Sequence, residues 1–175
     1  MPAAPSRTAD NTDSSDIRAR IRGTNVNPRT LLATDYLNHF NEVLMLIELV
    51  PDDPDCLAEV VNWRPKTYRE HFAGSGLSEG AITIEAYEAA DTAVRRSFDD
   101  TTEKLNGAIR AAIYRLSKSV ETDDPELLRH IATTAATTLR SLADEMNGII
   151  NGADAVLDQS AIDQVLDQDA IDKMF

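Results

Sequence analysis

Cysteine and aromatic residues are scarce in this sequence. Cys56 is the single cysteine among 175 residues, and aromatic residues make up 5% of the chain. One thiol excludes an internal disulfide and leaves a cysteine-based metal site without ligands, which favours a reducing compartment. A shortage of aromatic rings is typical of helices that pack through Leu, Ile, Val and Ala.

Basic residues are also few. The chain has 17 Lys and Arg against 30 Asp and Glu, which gives a formal net charge of −13. Binding to nucleic acid requires a basic surface, and anionic membranes attract basic segments, so this balance argues against both kinds of partner. The charge instead favours a protein partner whose binding surface is basic.

A long apolar run is absent as well. The longest cluster, from Val43 to Val50, is interrupted by Glu48 and is too short to span a bilayer. No apolar stretch follows Met1, so we expect no signal peptide. Together with the single cysteine, these features predict a cytoplasmic protein.

The apolar residues that are present recur at helical spacing, and no segment alternates with the period of a β-strand. We therefore predict an all-α protein, an antiparallel helical bundle with two long helices. Residues 1–26 are rich in Ser, Thr, Asp, Ala and Arg and predict a disordered arm. Residues 27–152 form the expected bundle, and residues 153–175 form an acidic amphipathic tail.

Start and stop signals divide the bundle into helices. Asn27 and Pro28 predict the start of a first helix that Pro51 ends, and a short helix should follow from Pro54. Residues 66–80 are irregular apart from a helical turn. We expect Trp63, with Tyr68 and Phe72 of that turn, to close one end of the bundle.

The two long helices have clearer limits. One should run from Ala81 to Val120 with a bend near Asp91, and the other from Asp124 to a stop at Asn151 and Gly152. In each helix apolar residues recur in steps of three and four. The turn between the helices is short, which predicts that they lie antiparallel.

The tail contains a tandem repeat of nine residues. Leu157 to Val165 is followed directly by Leu166 to Met174, with six positions identical, and Phe175 ends the chain. Nine residues rotate a helix by about 900°, half a turn beyond two full turns. The apolar faces of the two copies would therefore point in opposite directions in one continuous helix. One docking surface could not hold both copies, so at least one should remain available.

The pattern Asp-Gln-x-Ala-Ile-Asp within this repeat resembles the segment that begins the flagellar switch protein FliM. It is also similar to the segment that closes the chemotaxis phosphatase CheZ. The resemblance implies capture of a CheY-like response-regulator receiver domain, a partner with an apolar groove and a basic rim. Asp158 and Asp167 replace a Ser of the switch-protein pattern, and Ala161 and Ala170 replace a Glu. The implied partner-binding residues are Gln159, Ile162, Asp163, Val165, Gln168, Ile171, Asp172, Met174 and Phe175.

The sequence leaves other interpretations of the chain open. In one alternative the tail packs on its own bundle, and in another it packs on a second subunit and forms a homodimer. The chain could also be an enzyme, a CheZ-like phosphatase acting on aspartyl phosphate, although a binding module is favoured. Glu103 and Asn106 are then the candidate catalytic acid and amide, because they lie one helical turn apart.

A ferritin-like metal protein is the third hypothesis, since helical bundles hold metals between carboxylates and histidines. The chain has three histidines and no Glu-x-x-His pair, so we assign no metal ligand and no cofactor. The side chains that would have to supply such a centre are Asp35, His39, Glu42, Glu70, His71, Glu126 and His130.

Overall fold

A computed structural model describes residues 16–74 and 78–153 of the chain. These residues are mainly helical and contain no β-strand, which confirms the all-α class. A helical turn over residues 16–20 comes first. It is followed by a 3-10 helix, Thr34–Leu37, and by α1 Asn38–Leu49, α2 Cys56–Asn62, α3 Tyr68–Ala73, α4 Ser78–Ala89, α5 Thr92–Val120 and α6 Pro125–Ile150.

The two long helices, α5 and α6, pack against each other in opposite directions. Near the start of α5, Thr101 Oγ1 donates a hydrogen bond to Glu145 Oε1 at 3.2 Å, close to the end of α6. Near the end of α5, Arg115 lines the same hollow as His130, close to the start of α6. The pairing of early with late residues makes the two helices antiparallel.

Local signals in the sequence set the limits of both long helices. Asp91 caps α5 by accepting hydrogen bonds from the backbone N–H groups of Ala93 and Val94. Asp124 caps α6 in the same way, and Pro125 occupies its first turn. The bend expected near Asp91 is a complete break, since α4 ends at Ala89 and α5 begins at Thr92.

The predicted apolar stripe of α5 faces the core. Phe98, Leu105 and Leu116 are buried, as are Leu139 and Met146 of α6. Residues of α1, notably Phe40, Val43 and Ile47, complete the same core. The burial of these side chains is the main source of folding free energy, at about 25 cal/mol per Å² of apolar surface.

The predicted start of the first helix at Asn27 is wrong. Asn27 Oδ1 does accept a hydrogen bond from the Arg29 N–H at 2.8 Å, but it caps a turn and not a helix. Leu31 adopts a φ of +62°, which stops helical propagation, and the Asn27 N–H donates to the Leu32 carbonyl at 2.8 Å. The chain therefore folds back on itself, and the helical residues that lead into α1 begin at Thr34.

The disordered arm predicted over residues 1–26 is wrong for residues 16–26. Ile17 and Ile21 are each 2% exposed, and Val26 is also buried in the core. Ile17 and Ile21 lie one helical turn apart, so their side chains lie on the same face of the turn. The arginines around them in the sequence make this short apolar pattern difficult to recognise. Arg20 ties the segment to α4, because Arg20 Nη2 lies 2.7 Å from Glu85 Oε2. Residues 1–15 lie outside the described part of the chain.

Candidate functional site

Nine aromatic and histidine rings form one connected cluster, the aromatic cluster. Tyr36 lies at its centre, fully buried, with ring centroids 5.3 Å from Tyr68 and 5.5 Å from Phe98. The scarce aromatic residues are thus concentrated in one place, where ring packing contributes beyond the buried area. The members of the aromatic cluster are Tyr36, His39, Phe40, Trp63, Tyr68, His71, Phe72, Tyr87 and Phe98.

The tyrosine hydroxyls of the aromatic cluster form hydrogen bonds with backbone and side-chain groups. Tyr36 Oη donates to the Lys66 carbonyl at 2.6 Å, and Tyr68 Oη accepts from the Ala33 N–H at 2.9 Å. Tyr87 Oη donates to Asp99 Oδ1 at 2.7 Å. Burial, together with this contact, raises the pKa of Tyr87 to about 12. These hydroxyls are therefore protonated at neutral pH and act as structural hydrogen-bonding groups.

His39 is a buried neutral acceptor in this cluster. Its Nε2 accepts a hydrogen bond from the Lys66 N–H at 3.1 Å, and its ring stacks on Trp63. Burial lowers the pKa of His39 to about 4, with the nearby Lys66 charge acting in the same direction. Burial also lowers the pKa of His71, whose ring centroid lies 6.2 Å from that of His39. Both rings favour the uncharged state.

The side chains considered for a metal centre have other roles or lie apart. Glu70 belongs to a capping box, in which Glu70 Oε2 accepts from the Thr67 N–H at 2.7 Å. Asp35 Oδ2 accepts from Asn25 Nδ2 at 2.9 Å. Residues 16–74 and 78–153 contain no group of three or more histidine, cysteine or acidic side chains placed to hold an ion.

The predicted catalytic pair, Glu103 and Asn106, is divided between solvent and core. Glu103 is exposed on α5, whereas Asn106 is 5% exposed and its Oδ1 has no hydrogen-bond partner. An amide that orients an attacking water on another protein must reach the surface. Asn106 does not reach it in this conformation, so the described geometry offers no support for this pair.

The C-terminus of α6 is capped just before the tail begins. Gly152 adopts a φ of +71°, and the Ala153 N–H donates to the Gly148 carbonyl at 2.9 Å. Asn151 Nδ2 donates to the Asn147 carbonyl at 2.9 Å. These contacts form a Schellman-type stop, which confirms the predicted end at Asn151 and Gly152. The predicted partner-binding residues 159–175 lie outside the described residues.

Two separate hollows open on one side of the α5–α6 pair, and we call them the outer hollows. The far hollow, of about 190 Å³, lies between Ala108, Ala112 and Arg115 of α5 and Ile131, Ala135 and Thr138 of α6. The near hollow, of about 280 Å³, is lined by Val94, Ser97, Ile149, Gly152 and Ala153. Val94 and Ala112 are 18 residues apart, five full helical turns, so both hollows open on the same side.

The outer hollows were not predicted, although the residues that line them follow a regular pattern in the sequence. Small residues recur along one edge of each long helix, beside the apolar stripe that faces the core. Such an edge looks polar or neutral in the sequence because Ala and Thr are common on exposed helix surfaces. Only the pairing of α5 with α6 brings the two edges together to form the outer hollows.

Comparison of the chain with protein-family models, with curated proteins and with solved structures finds no match. None of the helices within the described residues is long and apolar enough to cross a membrane.

Proposed function

We propose that this chain is a protein-binding module of bacterial signalling that captures a partner through its acidic tail, residues 153–175. One observation carries the proposal. The duplicated acidic segment follows a helix that already has its own C-terminal cap, because the Ala153 N–H donates to the Gly148 carbonyl and Gly152 adopts a φ of +71°. The tail is therefore not needed to cap α6.

The chemistry of the tail defines the partner. From residue 154 to residue 175 the chain has six Asp and one Lys, with Leu, Ile, Val, Met and Phe at fixed spacing. Such a segment fits an apolar groove with a basic rim, and its charge speeds the encounter more than it deepens affinity. The resemblance to the FliM and CheZ segments favours a CheY-like receiver domain, with Gln168, Ile171 and Phe175 among the contacts.

A binding test with a defined partner examines this proposal. The full chain and a chain lacking Leu166 to Phe175 are titrated by calorimetry with a chemotaxis receiver domain in its phosphorylated form and in its unphosphorylated form. We expect the full chain to bind the phosphorylated form, and the shortened chain to bind at least about tenfold more weakly, a loss of 1.4 kcal/mol or more.

Two controls accompany the titration. The helical circular dichroism signal and the melting temperature should be nearly equal for the two chains, because the cap of α6 is complete at Ala153, before the deleted residues begin. A double variant, Ile171→Ala with Phe175→Ala, should weaken binding like the deletion, since it removes the apolar contacts alone. Equal binding by the full and shortened chains would refute the proposed function.

A further inference from the structure

Basic residues are concentrated on one half of the α5–α6 pair. Residues 104–120 of α5 and 127–143 of α6 lie alongside each other, and together they contain six Lys and Arg and no Asp or Glu. The whole chain has 30 acidic residues against 17 basic residues. At physiological salt the field of an exposed charge is screened beyond about 8 Å. This half of the pair therefore presents positive charge locally, although the chain as a whole is acidic.

Four of these six basic side chains have acidic partners. The ion pairs are Lys104–Glu145, Lys118–Glu121, Arg129–Asp52 and Arg140–Glu48. Arg110 and Arg115 are exposed on α5 and make no ion pair with any residue of the ranges 16–74 and 78–153. The acidic residue that precedes them on the helix, Glu103, lies about two turns before Arg110. Two guanidinium groups of α5 are therefore uncompensated within the described body.

Tyr114 lies between these two arginines on the exposed side of α5. It follows Arg110 by one helical turn and precedes Arg115 by one residue. Its side chain is 67% exposed, the largest exposed fraction among the large hydrophobic residues of the described ranges. The other aromatic residues of those ranges all belong to the aromatic cluster. Tyrosine and arginine are the residue types enriched at the centres of protein interfaces, so this exposed trio has the composition of a recognition surface.

The far hollow adjoins the same side of α5. Arg115 of α5 and His130 of α6 both line it, and both side chains are exposed. Its floor is apolar and consists of the buried or half-buried residues Ala108, Ala112, Ile131 and Ala135. An apolar side chain that covers this floor is removed from water, which stabilises a complex. A guanidinium group beside the floor binds a carboxylate through two parallel hydrogen bonds.

We propose that Arg110, Tyr114, Arg115 and the far hollow, together called the basic face, form a docking surface for a short acidic segment of another protein. The segment places an apolar side chain in the far hollow and carboxylates on the two arginines. A nucleic acid fits less well, because its binding depends on many phosphate contacts and the basic face offers two uncompensated cations. This docking does not involve the tail, so it can hold or fail independently of the proposed function.

A titration with defined peptides tests the proposal. The probe is a synthetic amphipathic peptide with Glu on one side and Leu on the other, and the control peptide has Gln in place of every Glu. Nuclear magnetic resonance of the full, isotope-labelled chain maps the contacts through the shifts of its backbone amide signals. We expect the acidic peptide to shift the signals of residues 108–118 and 130–138, with weaker binding at high salt. The glutamine peptide should leave these signals unchanged.

Two arginines of α5 supply a matched pair of variants. Arg96 is exposed like Arg115 and makes no ion pair with a described residue, but Asp99 and Asp100 follow it within about one turn. We expect Arg115→Gln to weaken binding of the acidic peptide by about threefold or more, and Arg96→Gln by less than about 1.5-fold. Tyr114→Ala should weaken it by about fivefold or more, because the exposed ring contact is lost.

Each outcome either supports or overturns the proposal. Shifts confined to the basic face, which Arg115→Gln weakens and Arg96→Gln does not, support it. Absence of binding, equal effects of the two variants, or equal binding of the glutamine peptide overturns it. Tighter binding of a single-stranded oligonucleotide with the same charge as the peptide overturns the assignment to a protein segment. Self-association of the full chain that Arg115→Gln abolishes, measured by sedimentation, makes a second copy the occupant and also overturns the proposal.

Discussion

The imidazole of His39 stacks on the indole of Trp63, with ring centroids 5.0 Å apart and an angle of 23° between the planes. The Lys66 N–H donates to His39 Nε2 from the segment that follows Trp63. This pair of contacts joins α1 to the irregular segment between α2 and α3. A proton on Nε2 would remove the acceptor, so this connection depends on pH.

Acid should destabilise the protein through His39. Its folded-state pKa of about 4 lies below the unfolded value of 6.5, so the unfolded chain binds the proton more readily. The stabilisation is fully present above pH 6.5 and is lost as the pH falls toward 4, by at most about 3 kcal/mol. Urea unfolding between pH 7.5 and 4 measures it, with His130→Ala as an exposed-histidine control. A pH profile unchanged by His39→Phe would contradict the prediction.

Replacing Asn106 by leucine should stabilise the fold. The buried Oδ1 lacks a hydrogen-bond partner, and an unsatisfied buried polar group costs about 1–3 kcal/mol. Leucine has the same number and branching of side-chain heavy atoms and a higher helix propensity. We expect Asn106→Leu to raise the free energy of unfolding by about 1 kcal/mol in urea titrations. A loss of stability would show that the amide makes a contact that leucine cannot replace.

Removal of the Tyr68 hydroxyl should have the opposite effect. Tyr68→Phe keeps the ring contacts of the aromatic cluster but leaves the buried Ala33 N–H without its acceptor. The expected loss is about 1–2 kcal/mol of unfolding free energy. Tyr114→Phe is the matched control, because Tyr114 is 67% exposed and should change stability by less than about 0.5 kcal/mol. Equal effects of the two substitutions would disprove the structural role of the Tyr68 hydroxyl.

Gly152, which follows α6, and Gly107, within α5, should respond to alanine with opposite signs. At Gly152, φ is +71° and an added Cβ would lie 3.0 Å from Arg29 Cδ, so Gly152→Ala should cost about 1–2 kcal/mol. At Gly107, within α5, nothing lies within 4 Å of an added Cβ. Gly107→Ala should therefore stabilise by about 0.5–1 kcal/mol. Thermal melting of both variants measures the difference, and a common sign would contradict this account.

The long helices were predictable because their signals are local. Asp91 and Asp124 cap the helices within three residues, and the apolar stripes repeat over more than twenty residues. The fold-back after Asn27 was not predictable, because Asn27 does act as a capping residue but caps a turn and not a helix. The reversal depends on the φ of Leu31 and on a bridge between Val26 and Ala33, and neither is a property of residue type.

The candidate functional residues also include some that could be predicted from the sequence and some that could not. The repeat and its half-turn offset can be read directly from the residues, and they lead to the tail as the binding segment. The burial of Asn106 could not be predicted from the sequence, because it depends on which side of α5 is covered by the elements that precede it in the chain. The spacing that suggested a catalytic pair with Glu103 is equally compatible with one exposed and one buried residue.

The packed segment over residues 16–26 shows that the folded body extends at least as far as Asp16. A chain trimmed to begin at residue 27 would uncover the surface beneath Ile17, Ile21 and Val26, and would also lose the Arg20–Glu85 ion pair that fastens α4. A chain trimmed to begin at residue 16 keeps all of these contacts. Shortened versions intended for crystallisation or for spectroscopy of the body should therefore start no later than Asp16.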